Sequence, residues 1–325
     1  MTIARTSPPA KLNLFLEIPA RRDDGYHEID TVMAAIDWRD ELEIESIPQP
    51  RIELTADWLP SVESVAGELG LDAGDGRVPE LLRIPTDDSN LVVRALAAFR
   101  ASFGVKTGFR VRLGKRIPAG AGMGGASSDA AHAIDCAAQI HQFDNVSEVL
   151  HGIASSIGSD VPFFLATGDS QSPMAAHATG RGELLSPLKT CPSIHFVVAY
   201  PSTSLSTAGV YAQLNVPQQP VSSETFLQAF RRGDHERMGK AMMNRLTEPA
   251  LKILPQLNEL LESLWQCGLQ PCQLTGSGSA CFGLAKDAEQ ATEIVKRLET
   301  ELQPGVLLRV AQTVPAATPI EIEPS

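Results

Sequence analysis

Three places in this 325-residue chain gather side chains able to do chemistry. Near the N-terminus, Lys11 and Asn13 lie two residues apart in AKLNLFLEI (10–18). In an extended strand such residues share a face, so both polar groups oppose the one carrying Leu12, Leu14, Leu16 and Ile18. A lysine there either snorkels to water or points its ammonium into a site. In mid-chain, IPAGAGMGGASSDAA (117–131) places Gly120, Gly122, Gly124 and Gly125 just before Ser127 and Ser128. Glycines let backbone N–H groups converge on an anion with no Cβ in the way. The two serines fall where a helix begins, and the free N–H groups and dipole there favour phosphate. Their hydroxyls can add donors or reach a magnesium ion. Third, Asp160 follows a helix ending near Gly158 and precedes VPFFLA, an apolar run that reads as strand. A carboxylate against an apolar wall can be held beside a reacting hydroxyl; it can equally be a turn or capping aspartate.

RRDDGYHEIDT (21–31) adds a weaker signal. Tyr26 could stack on a planar base and His27 could hydrogen-bond one, or the segment is only an exposed hairpin turn around Asp24-Gly25. Gly120, Gly122 and Gly125 match GxGxxG literally, but the dinucleotide fingerprint follows its strand directly, and here Gly114–Ala119, with Pro118, intervenes. No Gly-Lys-Ser/Thr follows either, so the loop is not a Walker A motif.

Mixed strands and helices must position these groups. The period-two pattern of 10–18 predicts a strand with one buried side, and 31–54 reads as further strand. SNLVVRALAAFRASFG (89–104) is a helix capped by Ser89 or Asn90, with Gly104 past its end. FRVRL (109–113) is a strand, and helices follow at about 127–140 and 147–160. HFVVAYP (195–201) is a buried strand opening a second domain, and 217–224 is a loop. Residues 250–268 are helical with a break at Pro255, CQLTGSGSACFGL (272–284) reads strand, Gly turn, strand, and 288–302 is an amphipathic helix. Residues 56–88 carry eight acids against Arg77 and Arg83, with four glycines, and read as a mobile surface excursion. The Pro-rich tail PAATPIEIEPS (315–325) is assigned no structure.

The length suits about two domains, and 43% hydrophobic residues suffice for a sizeable core. A net charge of −12 argues against a nucleic-acid binder but not against an anionic small molecule held by a local patch of donors. Five cysteines without a CxxC pair indicate neither a disulfide framework nor a zinc site, hence a reducing, cytoplasmic setting. No secretory signal and no apolar run of membrane-spanning length is visible.

Three motifs, in order, resemble the GHMP kinase family: PAKLNLFLEI (9–18), IPAGAGMGGASSDAA (117–131, with Met123 for the usual Leu) and LTGSGSACFGL (274–284). RRDDGYHEIDT, DSNLVVRA (88–95) and IGSDVPFFL (157–165) narrow the likeness to the branch acting on a cytidine-diphosphate-linked methylerythritol. The resemblance implies an α+β, two-domain fold, with a half like ribosomal S5 domain 2 (about 1–188) and a ferredoxin-like half (about 189–325), and a substrate cleft between them. It implies ATP and Mg2+ as cofactors, a small-molecule acceptor, no nucleic-acid or membrane partner, and a monomer or homodimer. Asp160 would be the general base and Lys11 would hold it and the acceptor hydroxyl in line. Pro118, Ala119, Gly120, Ala121, Gly122, Met123, Gly124, Gly125, Ala126, Ser127 and Ser128 would hold the nucleotide, Ser128 also the metal, and Asn90 and Lys115 would line the adenine pocket. Asn13, Tyr26, His27 and Tyr211 would recognise the cytidine end, with Gly276 and Gly278 near the sugar-phosphate part. The acidic stretch at 56–88 departs from the branch by its length, and Gly104–Gly108 is correspondingly short. The alternatives are another small-molecule kinase of the family (homoserine, mevalonate or sugar), a non-catalytic binder of the same fold and, more remotely, a nicotinamide-dependent oxidoreductase.

Overall fold

The computed structural model describes residues 2–74, 78–165, 174–302, 304–314 and 319–324. Asp75, Gly76 and Arg77 of the acidic stretch, Ala166 of VPFFLA, and 315–318 and Ser325 of the tail lie outside them. The N-terminal half runs β1 (Thr2–Thr6), β2 (Pro9–Arg21), β3 (His27–Arg39), β4 (Glu41–Ile47), β5 (Ile52–Trp58), α1 (Val62–Glu68), α2 (Leu91–Phe103), β6 (Gly108–Lys115) and α3 (Gly125–Ile140). It continues through α4 (Ser147–Ile157), α5 (Val161–Phe164), β7 (Ala175–Thr179) and β8 (Leu184–Pro187). The remainder comprises β9 (His195–Pro201), α6 (Thr207–Ala212), α7 (Glu224–Arg232), α8 (His235–Ala241), β10 (Met243–Asn244), α9 (Thr247–Ile253) and α10 (Gln256–Gln266). It closes with β11 (Cys272–Leu274), β12 (Cys281–Ala285), α11 (Ala288–Glu301), β13 (Val306–Gln312) and β14 (Glu321–Pro324).

Three sheets result, in the orders β14-β1-β4-β6-β5, β10-β2-β3-β7-β8 and β11-β12-β9-β13. The first packs one face on α2, α3 and α4 through Phe99, Phe109, Val111 and Ile134. Its exposed face carries cross-strand ion pairs such as Arg5–Glu43 and Arg110–Glu45. The third sheet lies against α10 and α11 through Leu264, Leu298 and Leu308. Each fully buried Leu, Phe or Val contributes about 1.5–3 kcal/mol relative to exposure.

The alternation in β2 suggests one buried side, yet Pro9–Ile18 is buried on both faces. The reason is a bulge: Asn13 pairs with Met33 and Phe15 with Val32, leaving Leu14 as the extra residue. Beyond it the strand changes faces, so Leu12, Leu14 and Phe15 join one core while Leu16 and Ile18 join another. Three other expectations need correction. The described residues of 56–88 are not a loose excursion: Trp58, Val65, Ala66, Leu69 and Leu82 enter the same core as Tyr200 and Leu307. Trp58 Nε1 donates to the Leu82 carbonyl at 2.6 Å, and Arg309 on β13 pairs with Glu68 at 2.8 Å. VPFF (161–164) of the run expected as strand is a short helix, α5, because Pro162 fits a first helical turn. The tail supplies β14, antiparallel to β1 with Thr2 opposite Pro324.

The halves are interlocked. β10 lies parallel to β2 with Met243 opposite Phe15. Arg245 just beyond it forks onto buried Glu17, with both N···O distances 2.6 Å. Although burial alone would raise the Glu17 carboxyl, the bonds from Arg245, Val221 and Ile18 hold it below the usual carboxylate range.

Candidate active site

The glycine loop runs from Arg116 to Gly124 between β6 and α3, and both neighbours hold it. On one side the Lys11 N–H donates to the Met123 carbonyl at 2.9 Å. On the other, the Ala280 N–H donates to the Ala121 carbonyl at 3.2 Å, and Thr275 Oγ1 donates to the Gly122 carbonyl at 3.3 Å. Glycine is required at 122: its φ is +77°, and an added Cβ would lie 2.2 Å from the Thr275 carbonyl oxygen. The turn carrying Gly276 (φ 55°) and Gly278 (φ 81°) is therefore packed backbone to backbone against the loop.

α3 starts with Gly124 as N-cap and no side-chain cap, so its first N–H groups stay free for an anion. Ser127 faces the cleft, while Ser128 Oγ is buried with no hydrogen-bond partner. A glycine cradle, uncapped N–H groups and an orphaned hydroxyl fit a phosphate chain and its magnesium ion. Pro118 is buried at the base of the loop, and Ala119, Gly120 and Ala126 are exposed.

A cavity of about 1240 Å3 opens beside the loop. Lys11, Asn13 and Asp160 line it together with Gly122, Gly124 and Ser127, and Tyr26, His27 and Tyr211 line its other part. Lys11 is 3% exposed, with its ammonium 3.6 Å from Asp160 Oδ2 and donating to Asn13 Oδ1 at 2.6 Å. Asn13 Nδ2 in turn donates to Thr31 Oγ1 at 3.0 Å, which donates to the Phe15 carbonyl at 2.6 Å. This chain of bonds fixes the amide with its oxygen toward Lys11. Asp160, at the start of α5, remains partly open to the cavity. The turn between β2 and β3 is built by the Tyr26 N–H donating to Asp24 Oδ1 at 3.1 Å and by Gly25 at φ 87°. It leaves Tyr26 57% exposed, with the Arg181 guanidinium 5.0 Å from the ring centre. His27 and Tyr211 lie 5.1 Å apart, ring to ring. Burial, then the charge of Arg21, push His27 below the usual imidazole range. Burial pushes the Tyr211 hydroxyl up, and so does the charge of Asp160.

Two residues expected along the adenine pocket, Lys115 and Asn90, do not line this cavity. Lys115 is 5% exposed, and its ammonium bonds Asp40 and, at 2.7 Å, Asp129 Oδ2, beneath the loop rather than in an open pocket. Burial disfavours its charge, but Asp129 and Asp40 outweigh that and raise the ammonium above its usual range. For Asp129 burial dominates, opposed by Lys115 and reinforced by Asp40, and its carboxyl is pushed up to about 7. Asn90 caps α2, its Oδ1 accepting from the Val92 N–H at 2.9 Å and its Nδ2 donating to the Pro85 carbonyl at 2.7 Å. Thr31, Asp40, Asp129, Arg181 and Thr275 were missed in the sequence. Their partners are distant in the chain, and no local spacing marks them.

The family described as "GHMP kinases N terminal domain" matches residues 90–168, and "GHMP kinases C terminal" matches 226–303. A 4-diphosphocytidyl-2-C-methyl-D-erythritol kinase of Rhodopirellula baltica is 47% identical over 314 residues, covering 94% of this chain and 93% of that protein. This chain belongs to the GHMP kinase family. A kinase of the same description from Thermobifida fusca is 33% identical, covering 95% of this chain and 96% of that one. Among solved GHMP kinases, a 4-(cytidine 5'-diphospho)-2C-methyl-D-erythritol kinase superposes with TM-score 0.72 at 30% identity, covering 95% of this chain and 99% of that one. A homoserine kinase of Cytophaga hutchinsonii shares the fold, with TM-score 0.69 at 17% identity, covering 98% of this chain and 97% of its own. The α+β GHMP kinase architecture expected from the motifs is thus the observed one. No helix among the described residues is long and apolar enough to cross a membrane. All five cysteines are free thiols.

Proposed function

We propose that this chain transfers the γ-phosphoryl group of ATP to the 2-hydroxyl of 4-diphosphocytidyl-2-C-methyl-D-erythritol, giving the 2-phosphate and ADP, a step of the methylerythritol phosphate route to isoprenoid precursors. The observation carrying the reading is one cavity that joins the Lys11–Asp160 pair, the glycine loop and the Tyr26, His27 and Tyr211 rings. The names of the relatives support the same acceptor.

In this mechanism Asp160 takes the proton from the acceptor hydroxyl as its oxygen attacks phosphorus. Lys11, 3.6 Å from it, draws the hydroxyl into line. A positioned base contributes about 10²–10⁴-fold. Asn13, held by Thr31, fixes the ammonium in turn. Tyr26 and Tyr211 stack on the cytosine, and His27 hydrogen-bonds its polar edge. Gly276 and Gly278 bring backbone toward the sugar-phosphate part. The loop Pro118–Ser128 and the free N–H groups of α3 hold the triphosphate, positioning and charge stabilisation being the main demands of phosphoryl transfer. Ser128, whose buried hydroxyl has no partner, would hold magnesium, and the ion would supply neutralisation of charge on the transferred group. A cytoplasmic location and a domain division near residue 188 belong to the same reading.

The test is ADP release with ATP and magnesium on 4-diphosphocytidyl-2-C-methyl-D-erythritol, homoserine, mevalonate and no acceptor. Turnover on the first alone is expected. Turnover on another acceptor would overturn the cytidine roles of Tyr26, His27 and Tyr211 and leave Lys11 and Asp160 in place.

A further inference from the structure

Beneath the glycine loop lies a charge cluster that no catalytic step uses. Lys115 is the last residue of β6, the strand entering the loop. Its ammonium meets Asp40, between β3 and β4, and Asp129, the fifth residue of the helix leaving the loop. Asp40 Oδ1 also accepts the N–H groups of Arg116 at 2.5 Å and Ile117 at 2.9 Å, the first two residues past the strand. A Cβ at Gly125 would lie 3.3 Å from the Lys115 nitrogen, so the first turn of α3 rests on the ammonium. One buried cation therefore ties together the entry of the loop, its exit and a fixed corner of the sheet.

Stability does not account for such a cluster. Two carboxylates share one ammonium at 0% and 1% exposure, and Asp129 Oδ1 has no partner. Buried ion clusters are often matched or bettered in stability by apolar side chains, while they fix geometry through directional bonds. A loop of glycines has little stiffness of its own, so its shape must come from its ends.

We propose that Lys115, with Asp40 and Asp129, is a positioning residue that fixes both ends of the glycine loop and thereby sets nucleotide affinity without touching the nucleotide. The proposal rests on the kinase reading. The motifs suggest that Lys115 lines the adenine pocket; its ammonium serves the ends of the loop.

The test uses Asp129→Leu and Asp129→Asn. Lys115→Met would leave two facing carboxylates buried without a cation, so loss of folding would obscure it. Asp129→Leu leaves Lys115 paired one to one with Asp40 and cuts only the tie to α3. Asp129→Asn keeps an oxygen acceptor for Lys115 and turns its amide toward the unpartnered Oδ1 position. Steady-state kinetics with each substrate varied, binding of a fluorescent ATP analogue and of CDP, and thermal unfolding are measured together. In Asp129→Leu the KM for ATP and the Kd of the analogue should rise about tenfold, equivalent to about 1.4 kcal/mol. CDP binding and acceptor KM should stay within about twofold, and Asn should restore most of the nucleotide affinity. Unchanged nucleotide affinity in Asp129→Leu, equal weakening of CDP, or equal damage by Asn and Leu overturns the proposal. A wild-type protein that binds the ATP analogue but phosphorylates no acceptor sinks the kinase reading, and the binding arm still decides the role of Lys115. A wild-type protein that binds no nucleotide sinks both.

Discussion

Gly122→Ala tests how closely the loop and the turn at 274–279 depend on each other. Two costs act at this position. The first is a left-handed backbone, φ +77°, which costs an L residue about 1–2 kcal/mol. The second is contact: the new methyl would sit 2.2 Å from the Thr275 carbonyl oxygen, against about 3.3 Å for an ordinary carbon–oxygen approach. The obstacle is backbone and cannot swing aside, so loop and turn must separate by about 1 Å. Misplacement of that size in a positioning element costs about 10²-fold. Gly104→Ala is the control, since its φ of 64° carries the same backbone cost while nothing lies within 4 Å of the added methyl. In a coupled assay of ADP release, Gly122→Ala should lose about 10²-fold in kcat/KM while Gly104→Ala keeps wild-type turnover; both should lose stability to denaturant through the backbone cost, Gly122→Ala more because of the added contact. If Gly122→Ala turns over within about threefold of Gly104→Ala, the turn does not set the loop and the reasoning fails.

Asp160→Asn should lower kcat by about 10²–10⁴-fold while ATP-analogue binding persists, and near-normal turnover would remove the base assignment. Tyr26→Ala should weaken CDP binding, read by calorimetry, by about 10–100-fold, the worth of one aromatic stack, with KM for ATP unchanged. Its 57% exposure means the fold should not respond. His132, on α3, donates from Nδ1 to the Ser128 carbonyl at 2.9 Å, and burial, followed by the charge of Arg39, lowers it to about 4. Because its folded pKa lies below its unfolded value of 6.5, the unfolded chain takes a proton that the folded one refuses. Its contribution is complete above pH 6.5 and is lost as pH falls toward about 4, at most ~3 kcal/mol. Denaturant unfolding at pH 7 and pH 5 should show that slope in the wild type and a smaller one in His132→Gln; equal slopes would contradict it.

Local patterns made much of this architecture legible. Gly104 with a left-handed φ ends α2, Asn90 caps it, and Pro255 separates α9 from α10, as composition demands. The glycine loop and its serines stand out because phosphate chemistry needs an unusual composition. Invisible features depend on distant partners. The bulge at Leu14 follows from pairing with β3 and cannot be read from alternation alone. The stretch 56–88 looks like solvent-borne acid, yet the five apolar residues Trp58, Val65, Ala66, Leu69 and Leu82 spaced through it are enough to seal one side of a core. For Lys115 family likeness marks a position but not its partners, since the two aspartates that capture its side chain are 75 and 14 residues away.

Strand exchange between the halves has a mechanical consequence. β10 is bonded to β2, and Arg245 grips Glu17, directly behind the strand that carries Lys11. β14 likewise returns to β1. A hinge that swung one half away from the other would have to break sheet hydrogen bonds and a buried fork. Admission of two substrates and release of two products must therefore come from movement of the rim, at the Tyr26 turn and the segment around Tyr211, while the floor bearing Lys11 stays still. Heating should reveal the same linkage as a single calorimetric transition, with neither half melting ahead of the other.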